Sequence, residues 1–518
     1  MRHWINPKSQ IEYRRPVAVD LFAGAGGFSL GIEQAGFDVL VAVEYDPIHA
    51  CTYCFNFPLT EVLCADVSTV TGDVIRQAAN RSWITHLYSG GVGDGGSGGV
   101  SSKNFPPSPC PPLPPSSYWD GQIDLVFGGP PCQGFSMMGK RELEDDRNSL
   151  IFHFCRLVIE LNPRYFVMEN VPGMAAGKYK ALLLHLISNF EAAGYHIQKG
   201  ILNAADFGVP QKRRRLFVIG TRQELKVRSE ELGVKSEELG VNNSLVSLSG
   251  CQPKRSSVTV KDAIADLPDI DYFPELANSD EVLLSTEQLQ QLQEKSSSYV
   301  IKLRSHPFIR QGDKETRGQG DKEDKGTRGQ GDKGTILSSP LPIPPSPHPP
   351  LSPFPPLPNF SYPRLWNPQL LTSSMQTQHQ ENSKIRFGET LAGELETISR
   401  LRRLDLNGLC HTLRAGTDYL RGSHTSPRPI HPTASRVISV REAARLHSFP
   451  DWFRFHQTKW HGFRQVGNAV PPLLAQAIAE KIIAALCVVP FSPQQPLELG
   501  DTQLLRFTPS QAKNHFKL

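Results

Sequence analysis

A single thiol, Cys132, stands in a stretch rich in glycine and proline, residues 128–136. A thiolate is a strong nucleophile that can form a covalent bond with an electron-poor carbon. The preceding residues 123–127 are apolar and predict a buried strand, so the thiol follows the carboxyl end of a strand, where open α/β sheets bind ligands. The prolines stiffen this turn and fix the direction of the sulfur. A structural cysteine is the alternative, and for an isolated Pro-Cys pair it would be the better one.

Acidic side chains follow three further predicted strands. Glu44, Asp66 and Glu169 each come directly after a short apolar segment. Glu169 is predicted to lie on the strand next to that of Cys132, which favours the nucleophile over the structural cysteine. Glu44 and Asp66 are placed to accept hydrogen bonds from ribose hydroxyls and an adenine amino group, whereas the alternative for each is a solvated loop carboxylate. Together they favour an adenosine site.

The elements that position these residues begin with a strand at residues 17–22. A glycine-rich loop follows at residues 23–29, and a helix then runs to Gly36, which suits a C-cap. Strand, glycine loop and helix form the first unit of a nucleotide-binding fold. Ser29 stands where the dinucleotide fingerprint requires glycine or alanine, which disfavours NAD. We therefore predict an α/β fold with a doubly wound, mostly parallel sheet.

Composition excludes several classes of protein. The chain has 518 residues, nine cysteines and a formal net charge of +4, a mild excess that is compatible with nucleic acid. The thiols form no paired framework, which indicates a reducing cytoplasm. Cys51 and Cys54 are predicted on a helix after Asp46-Pro47 and lack a second pair, so we expect no metal. The amino terminus does not resemble a signal peptide, and we expect no membrane span.

Low-complexity segments interrupt the chain and define its predicted organisation. Glycine- and proline-rich runs, near-perfect short repeats and a long proline tract cannot bury enough apolar surface to fold. Regular structure is predicted again after these segments. A capping box, Ser439 to Glu442, opens a helix, and residues 465–472 precede an amphipathic helix. We predict a catalytic domain at 1–222 with a disordered insertion at 88–118, a smaller irregular target-recognition domain at 223–462 with insertions at about 226–242 and 311–358, and a return to the catalytic domain with a tail at 463–518.

A basic run, residues 211–215, leads into the buried strand predicted at 216–220. A basic run entering a buried strand is unusual. The pattern predicts that its arginines point at something anionic or rich in carbonyl groups, whereas a solvated face is the alternative.

These motifs stand in one order along the chain. They comprise residues 20–27, 44–46, 66–67, 130–133, 169–171, 211–215, 441–445 and 465–468. In this order they closely resemble the prokaryotic DNA (cytosine-5)-methyltransferases, over the sequence up to about residue 222 and again from about residue 410.

The resemblance implies a mechanism and a role for each motif. Cys132 would add to carbon 6 of a flipped-out cytosine, and carbon 5 would then take a methyl group from S-adenosylmethionine. Glu169 would protonate or hydrogen-bond ring nitrogen 3, while Arg213 and Arg215 would hold the base carbonyl and the Glu169 region. The implied cofactor-binding residues are Phe22, Gly24, Gly26, Glu44, Tyr45, Asp66, Val67, Pro130, Asn468 and Val470. The implied substrate-binding residues are Gln133, Ser136, Gln211, Thr412 and Leu413.

The resemblance also implies a monomer that methylates a specific sequence in double-stranded DNA in the prokaryotic cytoplasm. A cognate restriction endonuclease is neither shown nor excluded by the sequence. Two alternatives stay open at this point. One is a transfer-RNA cytosine-5 methyltransferase of the same fold, and the other is a catalytically inactive DNA-binding relative.

Overall fold

The described part of the chain comprises seven segments of a computed structural model: residues 12–89, 120–131, 146–177, 179–222, 258–304, 359–416 and 428–518. Cys132, Gln133 and Ser136 lie outside these segments, as do the repeats and the proline tract. Of the insertion predicted at 88–118, the first two residues end a helix and the rest lies outside the described residues.

A seven-stranded sheet forms the centre of the described structure. The described strands are β1 (Glu12–Tyr13), β2 (Val17–Leu21), β3 (Asp38–Glu44), β4 (Glu61–Cys64), β5 (Leu125–Gly128), β6 (Tyr165–Asn170), β7 (His196–Asn203), β8 (Gln211–Lys212), β9 (Arg214–Thr221), β10 (Val282–Leu283), β11 (Arg364–Leu365), β12 (Leu370–Leu371), β13 (Cys410–His411), β14 (Val488–Val489) and β15 (Leu497–Glu498). The order of the central sheet is β4-β3-β2-β5-β6-β9-β7; its first five strands in this order run parallel, whereas β9 is antiparallel to both of its neighbours. This confirms the predicted doubly wound, mostly parallel α/β fold.

Helices cover both faces of the sheet. The described helices are α1 (Gly27–Ala35), α2 (Pro47–Asn56), α3 (Gly72–Ser89), α4 (Asp146–Leu161), α5 (Tyr179–Ala192), α6 (Val260–Ile264), α7 (Thr286–Glu294), α8 (Ser298–Arg304), α9 (Glu381–Glu389), α10 (Val440–Arg445), α11 (Lys459–Asn468), α12 (Pro472–Leu486) and α13 (Pro509–Phe516). Gly36 caps α1, Asp46 caps α2, and Ser439 and Glu442 form the predicted capping box of α10. These local signals confirm the predicted helix ends.

Alternate residues of the central strands supply two hydrophobic cores. Ala18 and Phe127 pack on the face covered by α1 and α12. Val19 and Val126 pack on the opposite face with α3, α4 and α5. Because both faces are buried, these strands appear in the sequence as continuous apolar runs.

Helices α1 and α12 approach each other closely at Gly31. A Cβ atom on Gly31 would lie 2.4 Å from Ala475 Cβ and 2.4 Å from Pro472 O. The close approach therefore requires glycine at this position. It holds α12 against the helix that follows the glycine loop.

A buried ionic network joins distant segments within the region predicted as the target-recognition domain. Arg445 is fully buried and pairs with Asp266 at 3.0 Å and Asp451 at 2.5 Å, and Arg304 pairs with the same two carboxylates at 2.6 and 2.9 Å. The motif at 441–445 thus links segments that are distant in the chain. The predicted boundary at 462/463 falls inside α11, and the division into domains stays a prediction.

Residues 359–366 are fixed on helix α1 and on the chain next to the central sheet. Phe360 N donates to Gln34 O at 3.0 Å, and Arg15 donates to Phe360 O at 2.7 Å. Arg364 is buried and pairs with Glu33 at 2.9 Å, while β11 pairs with β15. The described residues on the carboxyl side of the gap that follows Arg304 are therefore held firmly by hydrogen bonds and an ion pair.

Among the described residues one stretch, Lys459–Leu486, is long and apolar enough to pass a composition test for a membrane span. It consists of two helices, α11 and α12, and 61% of its most apolar window is buried inside the protein. Burial of this kind is typical of core helices.

Candidate active site

The predicted site residues gather at the carboxyl edge of the sheet. Phe22 follows β2, Glu44 ends β3, Asp66 follows β4, and Pro130 follows β5, while Glu169 lies in the last two residues of β6. Because β4-β3-β2-β5-β6 are consecutive and parallel, these five side chains share one edge. The sequence predicted this arrangement.

The glycine loop is held by Glu44. One carboxylate oxygen of Glu44 accepts a hydrogen bond from Gly24 N at 2.7 Å, and the other accepts one from Asp46 N at 2.8 Å. Phe22, Gly24 and Gly26 have φ values of 66°, 57° and 94°, in the left-handed region that the glycines adopt without strain. Burial raises the pKa of Glu44 above its ordinary value. These two hydrogen bonds thus fix the carboxylate beside the loop.

A second carboxylate, Asp20, supports the loop from inside the protein. Ser29 donates to Asp20 at 2.5 Å, and Tyr53 donates to Ser29 at 2.7 Å. Burial raises the pKa of Asp20 well above its ordinary value, and its Oδ1 is buried without a hydrogen-bond partner. Sequence reasoning missed this support. The signal was a polar pair, Asp20 and Ser29, within otherwise apolar segments.

The third edge carboxylate, Asp66, lies in a turn. Its Oδ1 accepts a hydrogen bond from Ser68 N at 2.8 Å. Tyr45, at the start of the loop after β3, is 72% exposed, whereas Val67 is buried. An exposed aromatic ring and a carboxylate at neighbouring strand ends are the groups that could contact a planar base.

Glu169 lies beside the start of the thiol loop. A Cβ atom on Gly129 would lie 3.2 Å from Glu169 Oε2, and Asn170 donates to Pro130 O at 3.2 Å. Arg215 Nε lies 2.8 Å from Glu169 Oε1, and both side chains are largely buried. The described loop residues therefore contact the strand that carries Glu169, as predicted.

Arg213 has partners other than those expected from the resemblance. It is buried, and it donates to the carbonyl oxygens of Leu413, Gly467 and Ala469, each at 3.0 Å. These three contacts position the guanidinium inside the protein, and the contact with a base carbonyl that the resemblance implies stays a prediction. The prediction that the basic run points at carbonyl or anionic groups is confirmed by Arg213 and Arg215.

Gln211 and Leu413 are likewise buried in the scaffold. Gln211 Oε1 accepts from Leu413 N at 3.1 Å, and the Leu413 side chain packs in the core. Thr412 donates its hydroxyl to Lys212 O at 2.6 Å. Strands β8 and β13 pair in parallel here. Gln211 and Leu413 thus position the Thr412 segment, and their predicted contacts with the substrate stay a prediction.

The turn after α11 lies over the glycine loop. Gly27 at the start of α1 leaves space for this turn, because a Cβ atom there would lie 2.9 Å from Val470 O. Val470 is buried, whereas Asn468 is exposed at the end of α11. The two predicted residues therefore flank the loop from the carboxyl-terminal side.

His447 fixes the same turn and was not predicted. Its Nδ1 accepts from Gln211 Nε2 at 3.0 Å, so its Nε2 donates to Ala469 O at 2.9 Å. Burial, together with Arg213, lowers the pKa of His447 well below its ordinary value. A neutral imidazole thus joins the 211–215 run to the 467–470 turn.

Comparisons with known proteins find similarity over most of the chain. The family model described as C-5 cytosine-specific DNA methylase matches residues 17–81 and 115–484. The chain is 41% identical over 504 residues to the Type II methyltransferase M.XorII of Xanthomonas oryzae pv. oryzae, covering 97% of this chain and 92% of that protein. It is 30% identical over 492 residues to the Type II methyltransferase M.AgeI of Thalassovita gelatinovora, covering 90% and 99%. A crystal structure assigned as a DNA modification methyltransferase encoded within an E. coli prophage aligns with a TM-score of 0.56 and 28% identity, covering 91% and 99%.

Proposed function

This chain belongs to the C-5 cytosine-specific DNA methylase family, and from that membership we propose a role for each group at the carboxyl edge of the sheet. The enzyme methylates carbon 5 of cytosine in DNA, with S-adenosylmethionine as the methyl donor. The observation that carries the residue assignments is the contact of Gly129 and Pro130 with the strand of Glu169. It supports placing the thiol and the carboxyl on two sides of one pocket.

Cys132 is the nucleophile in this proposal. Carbon 5 of cytosine is too weakly nucleophilic to accept a methyl group directly. When the Cys132 thiolate adds to carbon 6, the new S–C bond pushes an electron pair onto carbon 5. After carbon 5 is methylated, loss of its proton returns the electron pair, and the S–C bond breaks to free Cys132.

Glu169 balances the charge during this addition. A proton or hydrogen bond from its carboxyl group to ring nitrogen 3 neutralises the negative charge as it develops. Arg215 orients the carboxyl through its 2.8 Å contact. Arg213 acts indirectly, because it holds the Thr412 segment and the 467–470 turn in place beside the strand that carries Arg215.

The groups at the edge fit S-adenosylmethionine. Its ribose hydroxyls and adenine amino group are donors, and Glu44 and Asp66 offer carboxylate acceptors, while the exposed ring of Tyr45 offers a stacking surface. When bound, this cofactor supplies an electrophilic methyl group. The other proposed cofactor contacts lie around these groups. On the adenine side they are Phe22, Gly24 and Gly26, and at the sides of the cofactor site they are Val67 and Pro130. Asn468 and Val470, in the turn after α11, would cover the cofactor site.

The partner that we propose beyond the DNA itself is a cognate restriction endonuclease, since M.XorII and M.AgeI carry the Type II name. We propose a monomer acting in the reducing cytoplasm, with specificity supplied by the region at 223–462. Gln133, Ser136 and Thr412 are the proposed contacts to the flipped nucleotide.

Methyl transfer to DNA is the first expected result. With tritiated S-adenosylmethionine, we expect the purified chain to label duplex DNA and to leave transfer RNA unlabelled. Nuclease digestion and mass spectrometry should identify the product as 5-methylcytosine, and sequencing of a methylation-free host that expresses the chain should map its site. Label only in transfer RNA would contradict the DNA assignment. DNA binding without any label would establish an inactive relative.

Deletion of residues 318–358 should leave methylation largely intact. The described residues on either side of the deletion are held independently, because Arg304 pairs with Asp266 and Asp451 while Phe360 is bound to Gln34. The remaining linker, residues 305–317, can extend to about 45 Å. We expect kcat and DNA affinity close to those of the full chain in the tritium assay.

The matched control is a deletion of residues 318–366. It removes Arg364, whose loss leaves Glu33 buried without its cation, and breaking such a pair costs about 3–5 kcal/mol. We expect a clear drop in Tm for this second deletion alone. If the shorter deletion abolishes sequence-specific DNA binding, residues 318–358 belong to the recognition surface and are not an insertion.

A further inference from the structure

The last residues of the chain pack on helix α2, which begins next to Glu44 at the carboxyl edge of the sheet. Residues 499–516, here called the C-terminal brace, comprise a 3-10 helix, Thr502–Leu505, and helix α13. They follow the segment matched by the family model, which ends at residue 484.

The brace and α2 share a hydrophobic cluster of their own. Every buried member of it within the described residues comes from α2 or from the brace. The α2 members are Ile48, Cys51 and Phe55, and the brace members are Leu504, Leu505 and Ala512. Cys54, Leu499, Phe507 and Phe516 pack around them. Without the brace this side of α2 would expose a row of apolar side chains to water.

Main-chain contacts fix the brace at two places. Gly500 N donates to Phe55 O at 2.9 Å, and a Cβ atom on Gly500 would lie 2.9 Å from Phe55 Cα. Leu505 O accepts from Gln457 N at 2.9 Å, and Phe507 O lies 3.0 Å from His456 Nε2. The brace therefore joins α2 to the segment that leads into α11.

Both of these elements are connected to residues of the proposed cofactor site. The start of α2 is tied to Glu44, because Glu44 accepts from Asp46 N and Asp46 caps the helix. Helix α11 ends at Asn468, and Gln465 in its middle donates to Thr52 of α2 at 2.8 Å. The brace thus packs behind a pair of helices whose ends flank the glycine loop.

We propose that the C-terminal brace positions α2 and α11 for cofactor binding and acts on S-adenosylmethionine affinity without acting on DNA affinity or on the chemical step. This inference rests on the proposed cofactor site at Glu44 and Asn468. When the brace detaches, α2 loses its outer packing, and only the fraction of molecules with α2 in place binds cofactor. If that fraction falls to about one tenth, the apparent Kd rises about tenfold.

The test uses the full chain with Ala512→Asp, which places a charge at the α2 contact. The matched control is Asn514→Asp, which adds the same charge on the exposed side of α13. Leu505→Ala is a milder second variant, and Leu505→Met should restore most of the lost affinity. We expect Ala512→Asp and Leu505→Ala to raise the Kd for S-adenosylhomocysteine in calorimetry and the KM for S-adenosylmethionine by about tenfold, with kcat and the DNA Kd unchanged.

Two outcomes would overturn the proposal. One is an unchanged cofactor Kd in Leu505→Ala and Ala512→Asp, and the other is an equal loss of cofactor affinity, DNA affinity and kcat. Glu44→Gln separates this result from the site assignment. If Glu44→Gln weakens cofactor binding while the brace variants do not, the brace proposal alone fails, whereas an unchanged Kd in Glu44→Gln removes the proposed cofactor site itself.

Discussion

The Cys132→Ala variant is expected to lose methyl transfer while it still binds cofactor and DNA. Without the thiolate, no electron pair is delivered to carbon 5 of cytosine, and no other group on the neighbouring strand can replace it, since the Glu169 carboxyl is engaged with Arg215. Loss of a covalent nucleophile can lower kcat by about 10⁶-fold. A single-turnover assay with tritiated S-adenosylmethionine measures the loss, and gel shift measures DNA affinity.

A covalent adduct provides a second readout for the same variant. DNA with 5-fluorocytosine at the target retains fluorine where the proton must leave, so the wild-type chain should remain attached to it under denaturing conditions. Cys132→Ala should give no such band. The control is Cys487→Ser, which changes an exposed thiol at the end of α12 and should keep both adduct and activity. Methylation by Cys132→Ala near the wild-type rate would reject the nucleophile assignment.

The strands and helix ends that position the site could be predicted from the sequence, because each is marked by residues close together in the chain. Each central strand is a short apolar run that ends at a polar residue, so Glu44 and Glu169 could be placed at the ends of β3 and β6 from sequence alone. Gly36, Asp46 and the Ser439 capping box mark helix ends through contacts within a few residues. Parallel order then brought the strand ends to one edge.

For the basic run at 211–215, the sequence predicted the chemical type of the partners, anionic or carbonyl groups, but not which residues supply them. Guanidinium groups bind carboxylates, bases and carbonyls with similar geometry, and the pattern could not choose among them. The carbonyls that Arg213 binds come from residues 200, 254 and 256 positions away. Gln211 reaches Leu446 O and His447 over 235 and 236 positions. Tertiary packing alone determines which of these side chains face the pocket and which are buried.

The sequence of the C-terminal brace gave only a weak indication of its helix α13, because the helix is short and mostly exposed. Helix α13 has eight residues and only one buried member, Ala512, which is too little to show helical periodicity. Its start was nevertheless marked, because Thr508 and Gln511 form a capping box with Pro509 in the first turn. A short helix of this kind is stabilised by packing on a partner, here α2, more than by its own propensity.

The Glu169→Gln variant is expected to lower kcat by about 10²–10⁴-fold, the usual contribution of a positioned acid–base group. Glutamine keeps the length of the side chain and an oxygen that can accept from Arg215 Nε, now 2.8 Å from Glu169 Oε1. It cannot deliver a proton to ring nitrogen 3, so charge that develops during thiolate addition is left uncompensated. Cofactor and DNA Kd values should be unchanged, and adduct formation on 5-fluorocytosine DNA should slow in proportion to kcat.

The neighbouring residue Arg214 supplies the matched control, because its side chain is exposed while its carbonyl accepts from Arg215 Nη1 at 2.8 Å. Arg214→Gln keeps that carbonyl and the Glu169–Arg215 contact, so its single-turnover rate should stay near that of the wild type. If Glu169→Gln forms the covalent adduct as fast as the wild type but transfers methyl slowly, the carboxyl acts after the addition, on loss of the carbon 5 proton. If both rates stay near wild type, Glu169 serves only to hold Arg215 and the Pro130 loop, and a different group must stabilise the developing charge.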